Sequence, residues 1–204
     1  MLRVGLTGGL ASGKTTVGRI LAELGAVVFD ADRIVRDLYE PGGAGEKAAA
    51  ELFGDAVRGP GGAIDRSRIA GIVFADPARR HALEARIHPL VRAERARRFE
   101  EAERAGAAVA VAEASQLLET GSESDYDRIV LVVAPEAERL RRWEAKGGDP
   151  DDARRRIASQ LAPSAAFERA HDVIANDGSL EDLRGKVRDV WRRWNEDQPA
   201  KLRE

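Results

Sequence analysis

The chain has 204 residues, of which 43% are apolar and 33% charged, a composition typical of a folded globular protein of one domain with a sizeable core. Lysine and arginine number 33 against 35 aspartate and glutamate residues, so no overall positive field is available to attract nucleic acid or an anionic membrane. The absence of cysteine excludes disulfides, thiolate metal sites and cysteine nucleophiles.

The first residues predict a strand, a glycine-rich turn and a helix. Residues 2–6 form a short apolar run, and Lys14 to Leu24 carries apolar residues at helical spacing before Gly25 ends the helix. A second apolar run, Val27 to Phe29, leads into Asp30-Ala31-Asp32 and completes a β-α-β unit. The N-terminal segment becomes glycine-rich too early for a signal peptide, and no apolar run reaches the roughly 18 residues of a membrane span. We therefore expect a cytoplasmic protein.

Helical patterns dominate residues 33–106. Pro41-Gly42-Gly43 and the turn-rich Gly59 to Gly62 interrupt them. Pro77 to Ala105 predicts either one amphipathic helix or two, because Pro89 lacks the amide hydrogen that a helix interior needs.

Two continuous apolar runs, at residues 109–112 and 129–133, predict strands covered on both faces, as in a parallel sheet, and a shorter run at 173–175 predicts a late strand. Between and after them, the pattern predicts arginine-rich helices at 136–146 and 151–161, an amphipathic helix at 180–194 and a frayed tail at 196–204. Five short strands that alternate with helices indicate a doubly wound α/β fold, a three-layer sandwich with helices on both faces of a five-stranded parallel sheet.

The turn between the first strand and the first helix has the pattern G-x-x-x-x-G-K-[ST], in Gly8-Gly9-Leu10-Ala11-Ser12-Gly13-Lys14-Thr15, and Thr16 follows it. Glycines let backbone N–H groups turn toward phosphate oxygens, and the helix N-terminus adds positive potential. We expect Lys14 to reach the β- and γ-phosphates of ATP and the Thr15 hydroxyl to ligate Mg²⁺. The pattern predicts a P-loop NTPase fold and an ATP-dependent kinase.

Two aspartates, Asp30 and Asp32, follow the second strand at the carboxyl edge, where open α/β sheets bind ligands. A carboxylate there can accept the proton of a substrate hydroxyl as that hydroxyl attacks a phosphoryl group, and Asp32 is the better candidate. Asp32 could equally cap the helix that follows it. Both interpretations stay open at this point.

Arginines are concentrated on the two late helices, with Arg139, Arg141 and Arg142 on the first and Arg154 to Arg156 on the second. Their planar forks suit phosphate oxygens, which predicts a lid over ATP with one or two arginines touching phosphate. Most of the others are better explained as a solvated surface paired with neighbouring acids. The scattered histidines and the tryptophans are interpreted as structural.

Beyond the loop, the chain resembles the dephospho-coenzyme A kinases from about Leu2 to Trp194. The matching segments, in the family's order, are Gly5 to Gly9 with Ser12 to Thr16, Phe29 to Asp32, Ile87-His88-Pro89, Arg156 to Gln160, Arg169, Asp172 to Ile174 and Asn176-Asp177-Gly178. The resemblance implies phosphorylation of the ribose 3'-hydroxyl of dephospho-coenzyme A by ATP. It also implies a single domain, with a core of about residues 1–32, 107–135 and 170–195, a helical substrate lobe of about 33–106 and a lid of about 136–169.

The resemblance also assigns roles to individual positions. Asp32 would orient the acceptor hydroxyl as the base, Lys14 and Thr15 would serve ATP and magnesium, and Arg141 or Arg142 would be the lid arginine. Asn176 and Gly178 would belong to the ATP site. His88 becomes a possible substrate contact, with a structural role preferred.

Two segments depart from the family's pattern. The family usually has an acidic residue followed by Ile or Val and then Pro-Leu-Leu, whereas this chain has Glu113-Ala114-Ser115-Gln116-Leu117-Leu118 and lacks the proline. Glu113 can still act as the acidic partner near magnesium or substrate. In the lid, Lys146-Gly147-Gly148 stands where a second arginine is expected.

Three other functions share the phosphate loop: a kinase for a nucleoside, nucleotide or shikimate-like acceptor, a GTP-binding switch, and a nucleotide-binding module without turnover. Asp30-Ala31-Asp32 with the later His-Pro and Asn-Asp-Gly elements argues against the first, and the absence of Asn-Lys-x-Asp argues against the second. The third remains if the departure after Glu113 has impaired the acceptor site. We expect ATP and dephospho-coenzyme A as partners, no nucleic acid or membrane, and a monomer.

Overall fold

The computed structural model describes residues 1–197. The strands are β1 (Leu2–Gly8), β2 (Val27–Asp30), β3 (Val109–Glu113), β4 (Arg128–Val133) and β5 (Asp172–Ala175). The helices are α1 (Lys14–Glu23), α2 (Ala31–Leu38), α3 (Ala44–Phe53), α4 (Arg66–Ala75), α5 (Pro77–Arg104), α6 (Glu136–Glu144), α7 (Pro150–Ala158), α8 (Pro163–Glu168) and α9 (Leu180–Asp197). Short 3₁₀ helices cover Gly54–Val57 and Glu123–Asp125. The chain forms two compact units, one of Met1–Asp30 with the residues from Glu101 onward, the other of Ala31–Glu100.

The strands of the first unit form one parallel sheet in the order β2-β3-β1-β4-β5. Its register places Glu113 beside both Leu6 and Asp30, and Gly8 beside Val132. The carboxyl ends of four strands therefore lie along one edge, and the loop after β1 starts at the centre of that edge. The predicted five-stranded parallel α/β fold is confirmed.

Helices α1 and α9 cover one face of this sheet. Alternate residues of the strands, such as Val4 and Leu6, point to that face because successive strand side chains point to opposite sides. They pack against Val17 of α1 and against Val187 and Trp194 of α9, and each of these side chains is at most 1% exposed. The burial of this apolar surface holds the first unit together and fixes the start of α1 at the sheet edge.

The second unit has its own apolar cluster, formed by residues of α3, α4 and α5 together with Val57. Helix α5 is a single helix that continues through Pro89, which settles the question of one helix or two. Ile87 before the proline, and Leu90 and Val91 after it, all pack on this cluster. Burial on both sides of Pro89 offsets the lost backbone hydrogen bond.

Two features of the C-terminal half differ from the sequence-based expectation. Helix α8 was not predicted, although Pro163 is a common first residue of a helix. Helix α9 continues past Trp194 to Asp197, so the start of the expected frayed tail is helical, and residues 198–204 lie outside the described residues. Within residues 1–197, no helix combines the length and the apolarity needed to cross a membrane.

A buried carboxylate joins the edge strand β5 to α9. Asp172 is 7% exposed, and its two oxygens accept hydrogen bonds from Trp194 Nε1 and Arg193 Nη2, each at 2.9 Å. The Arg128 guanidinium lies 3.9 Å from the same carboxylate. This network satisfies the indole N–H of a tryptophan that is otherwise surrounded by apolar side chains.

We predict that Asp172→Ala lowers the free energy of unfolding by about 2–4 kcal/mol, because it leaves the buried indole N–H without an acceptor. Urea denaturation measures this difference. Asp189→Ala is the matched control, since Asp189 pairs with Arg192 on the exposed side of the same helix, and its midpoint should not change measurably. Equal urea midpoints for the two variants would contradict the stabilising role of Asp172.

Candidate active site

The loop between β1 and α1 has the backbone of a phosphate cradle. Gly8 has a φ of 151° and Gly13 a φ of 103°, conformations that favour glycine, and between them Ala11 has a φ of 54°. Lys14 is the first residue of α1, and its Nζ donates to the carbonyl oxygens of Gly8 at 2.6 Å and Gly9 at 3.3 Å. The ammonium group is thus held over the loop whose N–H groups would receive phosphate.

Thr15 and Glu113 meet at the mouth of this loop. The Thr15 hydroxyl donates to Glu113 Oε1 at 2.7 Å. The contact follows from the sheet, because Glu113 is the last residue of β3 and Leu6 of β1 is its neighbour in register. A hydroxyl and a carboxylate side by side are the hard oxygen ligands that Mg²⁺ prefers, and this ion commonly takes only one or two protein ligands beside phosphate oxygens and water.

The carbonyl oxygen of Ser12 ties the loop to two distant segments. Asn176, just after β5, donates its Nδ2 hydrogen to this oxygen at 2.8 Å, and Arg142 of α6 donates from Nη1 at 3.3 Å. Arg142 also donates from Nη2 to the Asn176 carbonyl oxygen at 3.1 Å. Asn176 is buried, so this tie is shielded from water. Gly178 follows two residues later, before the first turn of α9.

The two candidate lid arginines have different surroundings. Arg142 reaches the loop and has a side chain 23% exposed, whereas Arg141 is 74% exposed and pairs with Glu138. Hydrogen bonds from Arg141, and then from Arg142, hold the pKa of Glu138 at about 2, although desolvation acts in the opposite direction. Glu138 is therefore ionised at neutral pH and anchors Arg142 beside the loop. The structure brings Arg142, and not Arg141, to the phosphate loop.

Arg139 and Gln160 also contact the loop, although the sequence alone predicts no specific role for either residue. Arg139 Nε donates to the Leu10 carbonyl oxygen at 2.7 Å, and Gln160 Oε1 accepts from the Leu10 N–H at 3.2 Å. Arg139 precedes Arg142 by three residues on α6, and this helical spacing could have indicated that both face the loop. A cavity of about 720 Å³ lies against these residues and is lined by Gly8, Gly9 and Ser12 on the loop side.

The remaining predicted site residues, Asp32, His88 and Thr16, all lie on helices. Asp32 lies in the exposed first turn of α2, which begins at Ala31, so Asp32 is inside the helix and does not precede it as a cap. His88 is exposed on α5. Both belong to the Ala31–Glu100 unit. Thr16 is in the first turn of α1, where its N–H donates to the Gly13 carbonyl oxygen at 3.0 Å.

The segment after Glu113 forms a compact turn without the proline of the family pattern. Leu117 and Leu118 are 2% and 4% exposed, and the Ala114 N–H donates to the Leu6 carbonyl oxygen at 3.0 Å. The Thr120 N–H and hydroxyl both donate to the Gln116 carbonyl oxygen. Buried leucines and local hydrogen bonds therefore shape the segment.

The sequence matches the family model for dephospho-CoA kinase over residues 2–182. The chain belongs to the dephospho-CoA kinase family. A dephospho-CoA kinase of Streptomyces avermitilis is 44% identical over 192 residues, which cover 94% of this chain and 93% of that protein. The family predicted from the sequence, and with it the kinase class, is confirmed.

Solved structures are similar over nearly the whole chain. The crystal structure of TT1252 from Thermus thermophilus is 35% identical, has a TM-score of 0.79, and covers 97% of this chain and 98% of its own. A shikimate kinase from Acinetobacter baumannii, 19% identical with a TM-score of 0.56, covers 97% of this chain and 96% of its own. The second likeness concerns the fold alone. TT1252 and a shikimate kinase thus share the fold described above.

We predict that Gly13→Ala weakens ATP binding by about 100-fold or more, because the new methyl group would clash with Asn176 Nδ2 and break its bond to the Ser12 carbonyl oxygen. Isothermal titration with ATP measures the dissociation constant. Gly25→Ala is the matched control: Gly25 has a similar φ of 107°, but a Cβ there meets nothing within 4 Å. The Gly25→Ala variant should bind ATP normally, and its strained backbone should lower its melting temperature. Equal ATP binding by both variants would contradict the importance of the Asn176 tie.

Proposed function

We propose that the protein transfers the γ-phosphoryl group of ATP to the ribose 3'-hydroxyl of dephospho-coenzyme A, giving ADP and coenzyme A, the final step of coenzyme A biosynthesis. The observation that supports this most strongly is the Thr15–Glu113 contact, at 2.7 Å, at the mouth of a phosphate loop in a chain of this family. It joins a nucleotide-binding element to a carboxylate at the edge where an acceptor would lie.

The nucleotide end of the reaction uses the loop from Gly8 to Thr16. Its N–H groups and the Lys14 ammonium bind the β- and γ-phosphates, and Asn176 and Gly178 border the nucleotide. Thr15 would hold Mg²⁺, with Glu113 beside it as a direct or water-mediated partner, and the bound ion would neutralise charge on the phosphate oxygens. Arg142 approaches the same loop and would stabilise the negative charge that develops on the transferred group.

The acceptor end uses Asp32. Its carboxylate accepts the proton of the 3'-hydroxyl while that oxygen bonds to the γ-phosphorus and the bond from this phosphorus to the β–γ bridging oxygen breaks. ADP leaves with the electron pair of that bond. His88 is a substrate contact in this proposal, and Glu113 serves the acceptor side as well as the ion.

The larger segments take roles in the same proposal. Residues of about 33–106 form the lobe that binds the acceptor, and residues of about 136–169, which carry Arg142, form the lid. A cytoplasmic location and a monomeric state stay predictions.

The direct test incubates the protein with ATP, Mg²⁺ and one acceptor at a time. We expect coenzyme A to form from dephospho-coenzyme A far faster than phosphorylated product forms from shikimate, adenosine or AMP, because the resemblance along the chain goes beyond the shared phosphate loop. Product is measured by chromatography. Comparable rates on any of the other three acceptors would refute the substrate assignment, and ATP binding without turnover would indicate a nucleotide-binding module.

We predict that Asp32→Asn lowers kcat by about 100-fold or more and leaves ATP binding near normal, because an amide cannot accept the proton of the acceptor hydroxyl. Asp37→Asn is the matched control on the same helix, where Asp37 lies 3.6 Å from Arg33 in an exposed pair, and it should keep its activity. A near wild-type rate for Asp32→Asn would exclude a role as the base.

A further inference from the structure

We propose that Arg139 and Gln160 form a positioning pair that holds the tip of the phosphate loop, at Leu10, in the shape that binds nucleotide. The pair comes from two separate parts of the predicted lid, since Arg139 lies on α6 and Gln160 follows α7. The inference rests on the proposed function and adds two residues that act through the loop.

Three hydrogen bonds close the contact into a ring. Arg139 Nε donates to the Leu10 carbonyl oxygen at 2.7 Å, and Arg139 Nη2 donates to Gln160 Oε1 at 2.6 Å. The same Gln160 oxygen accepts the Leu10 N–H at 3.2 Å. Both backbone groups of Leu10 are therefore held by side chains that are distant in sequence, and loss of either side chain opens the ring.

The tip is the part of the loop that requires such support. Ala11, the next residue, has a φ of 54°, a left-handed conformation that is unfavourable for a residue with a side chain. The Asn176 and Arg142 contacts to the Ser12 carbonyl oxygen hold the base of the loop and not its tip. The pair thus stabilises a conformation that the loop would populate less by itself.

The side chains of Arg139 and Gln160 can lie against the loop in this way because residue 9 is a glycine. A Cβ at Gly9 would clash with the Arg139 guanidinium and lie 2.8 Å from Gln160 Oε1. The second glycine of the loop therefore has a function besides its own flexibility, because it lets the two side chains lie directly on the backbone.

The hydrogen-bond partners of Arg139 are uncharged, which indicates that the shape of its guanidinium group matters more here than its positive charge. Its hydrogen bonds go to a carbonyl and an amide oxygen, whereas Arg142 on the same helix binds the carboxylate of Glu138 at 2.9 Å. Partial burial lowers the pKa of Arg139, and the charge of Glu136 opposes that shift. A lysine could carry the positive charge, but its single ammonium lacks the planar fork that reaches the Leu10 and Gln160 oxygens together.

The test uses the full chain with Arg139→Lys, Gln160→Met and the double variant. Because either single change opens the ring, we expect each to raise the ATP dissociation constant about tenfold, and the double variant to match the singles within about threefold. In the coenzyme A assay, KM for ATP should rise and KM for dephospho-coenzyme A should not. Arg192→Ala is the control, because Arg192 is exposed on α9 and pairs with Asp189 3.0 Å away, and it should bind ATP normally.

A second readout needs neither substrate nor activity. Without nucleotide, hydrogen exchange of the Leu10 amide should accelerate about tenfold in Gln160→Met, because that amide loses its acceptor, while exchange in β3 should not change. Methionine keeps the length of glutamine, so this variant tests the pair even if Arg139→Lys folds poorly.

The possible outcomes separate this inference from the proposed function. Normal ATP binding by Arg139→Lys, additive losses of about 100-fold in the double variant, or unchanged exchange at Leu10 would each overturn the positioning pair. A different result is that the wild-type protein forms no coenzyme A while the variants still bind ATP tenfold more weakly and exchange the Leu10 amide faster. That result would refute the proposed reaction and leave the positioning pair supported.

Discussion

The carbonyl oxygen of Ser12 is the point where three parts of the chain meet. It belongs to the phosphate loop, and it accepts hydrogen bonds from Asn176 at the end of β5 and from Arg142 on α6, at 2.8 and 3.3 Å. A loop that turns its N–H groups toward an anion turns carbonyl groups away from it, and these carbonyls need donors elsewhere in the unit. The contacts at Ser12, and those at Leu10, supply them. Every role proposed for Lys14 and Thr15 depends on the loop shape that these bonds stabilise.

The parallel sheet brings these donors together. Glu113 reaches Thr15 because β3 lies next to β1 and both strands end at the same edge. Asn176 reaches Ser12 because β5 ends at that edge beside β4, which is the other neighbour of β1. Two neutral side chains, Asn176 and Gln160, contact the phosphate loop alongside the charged Arg139 and Arg142. They hold backbone groups, and backbone groups are what bind phosphate in such a loop.

Much of the fold could be predicted from the sequence. The apolar runs matched β1 to β5, and those of the inner strands β1, β3 and β4 are continuous because these strands are covered on both faces. The helix over Pro89 could not be settled from the sequence, because burial of Ile87, Leu90 and Val91 outweighs the local preference of proline. The roles of the individual arginines could not be separated from the sequence either. Helical spacing places Arg139 and Arg142 on one face of α6, but only the position of α6 against the loop distinguishes them from Arg141, which pairs with Glu138 in solvent.

By itself, the sequence determined the phosphate loop, the parallel α/β fold and the family, because these depend on local patterns: glycine spacing, apolar runs and the order of short motifs. The tertiary structure decided which side chains contact the loop. Those contacts join Leu10 to Gln160 and Ser12 to Asn176, across 150 and 164 residues of sequence. No local pattern specifies such a pair, because it exists only after the strands have paired and α6 and α7 have packed beside the loop.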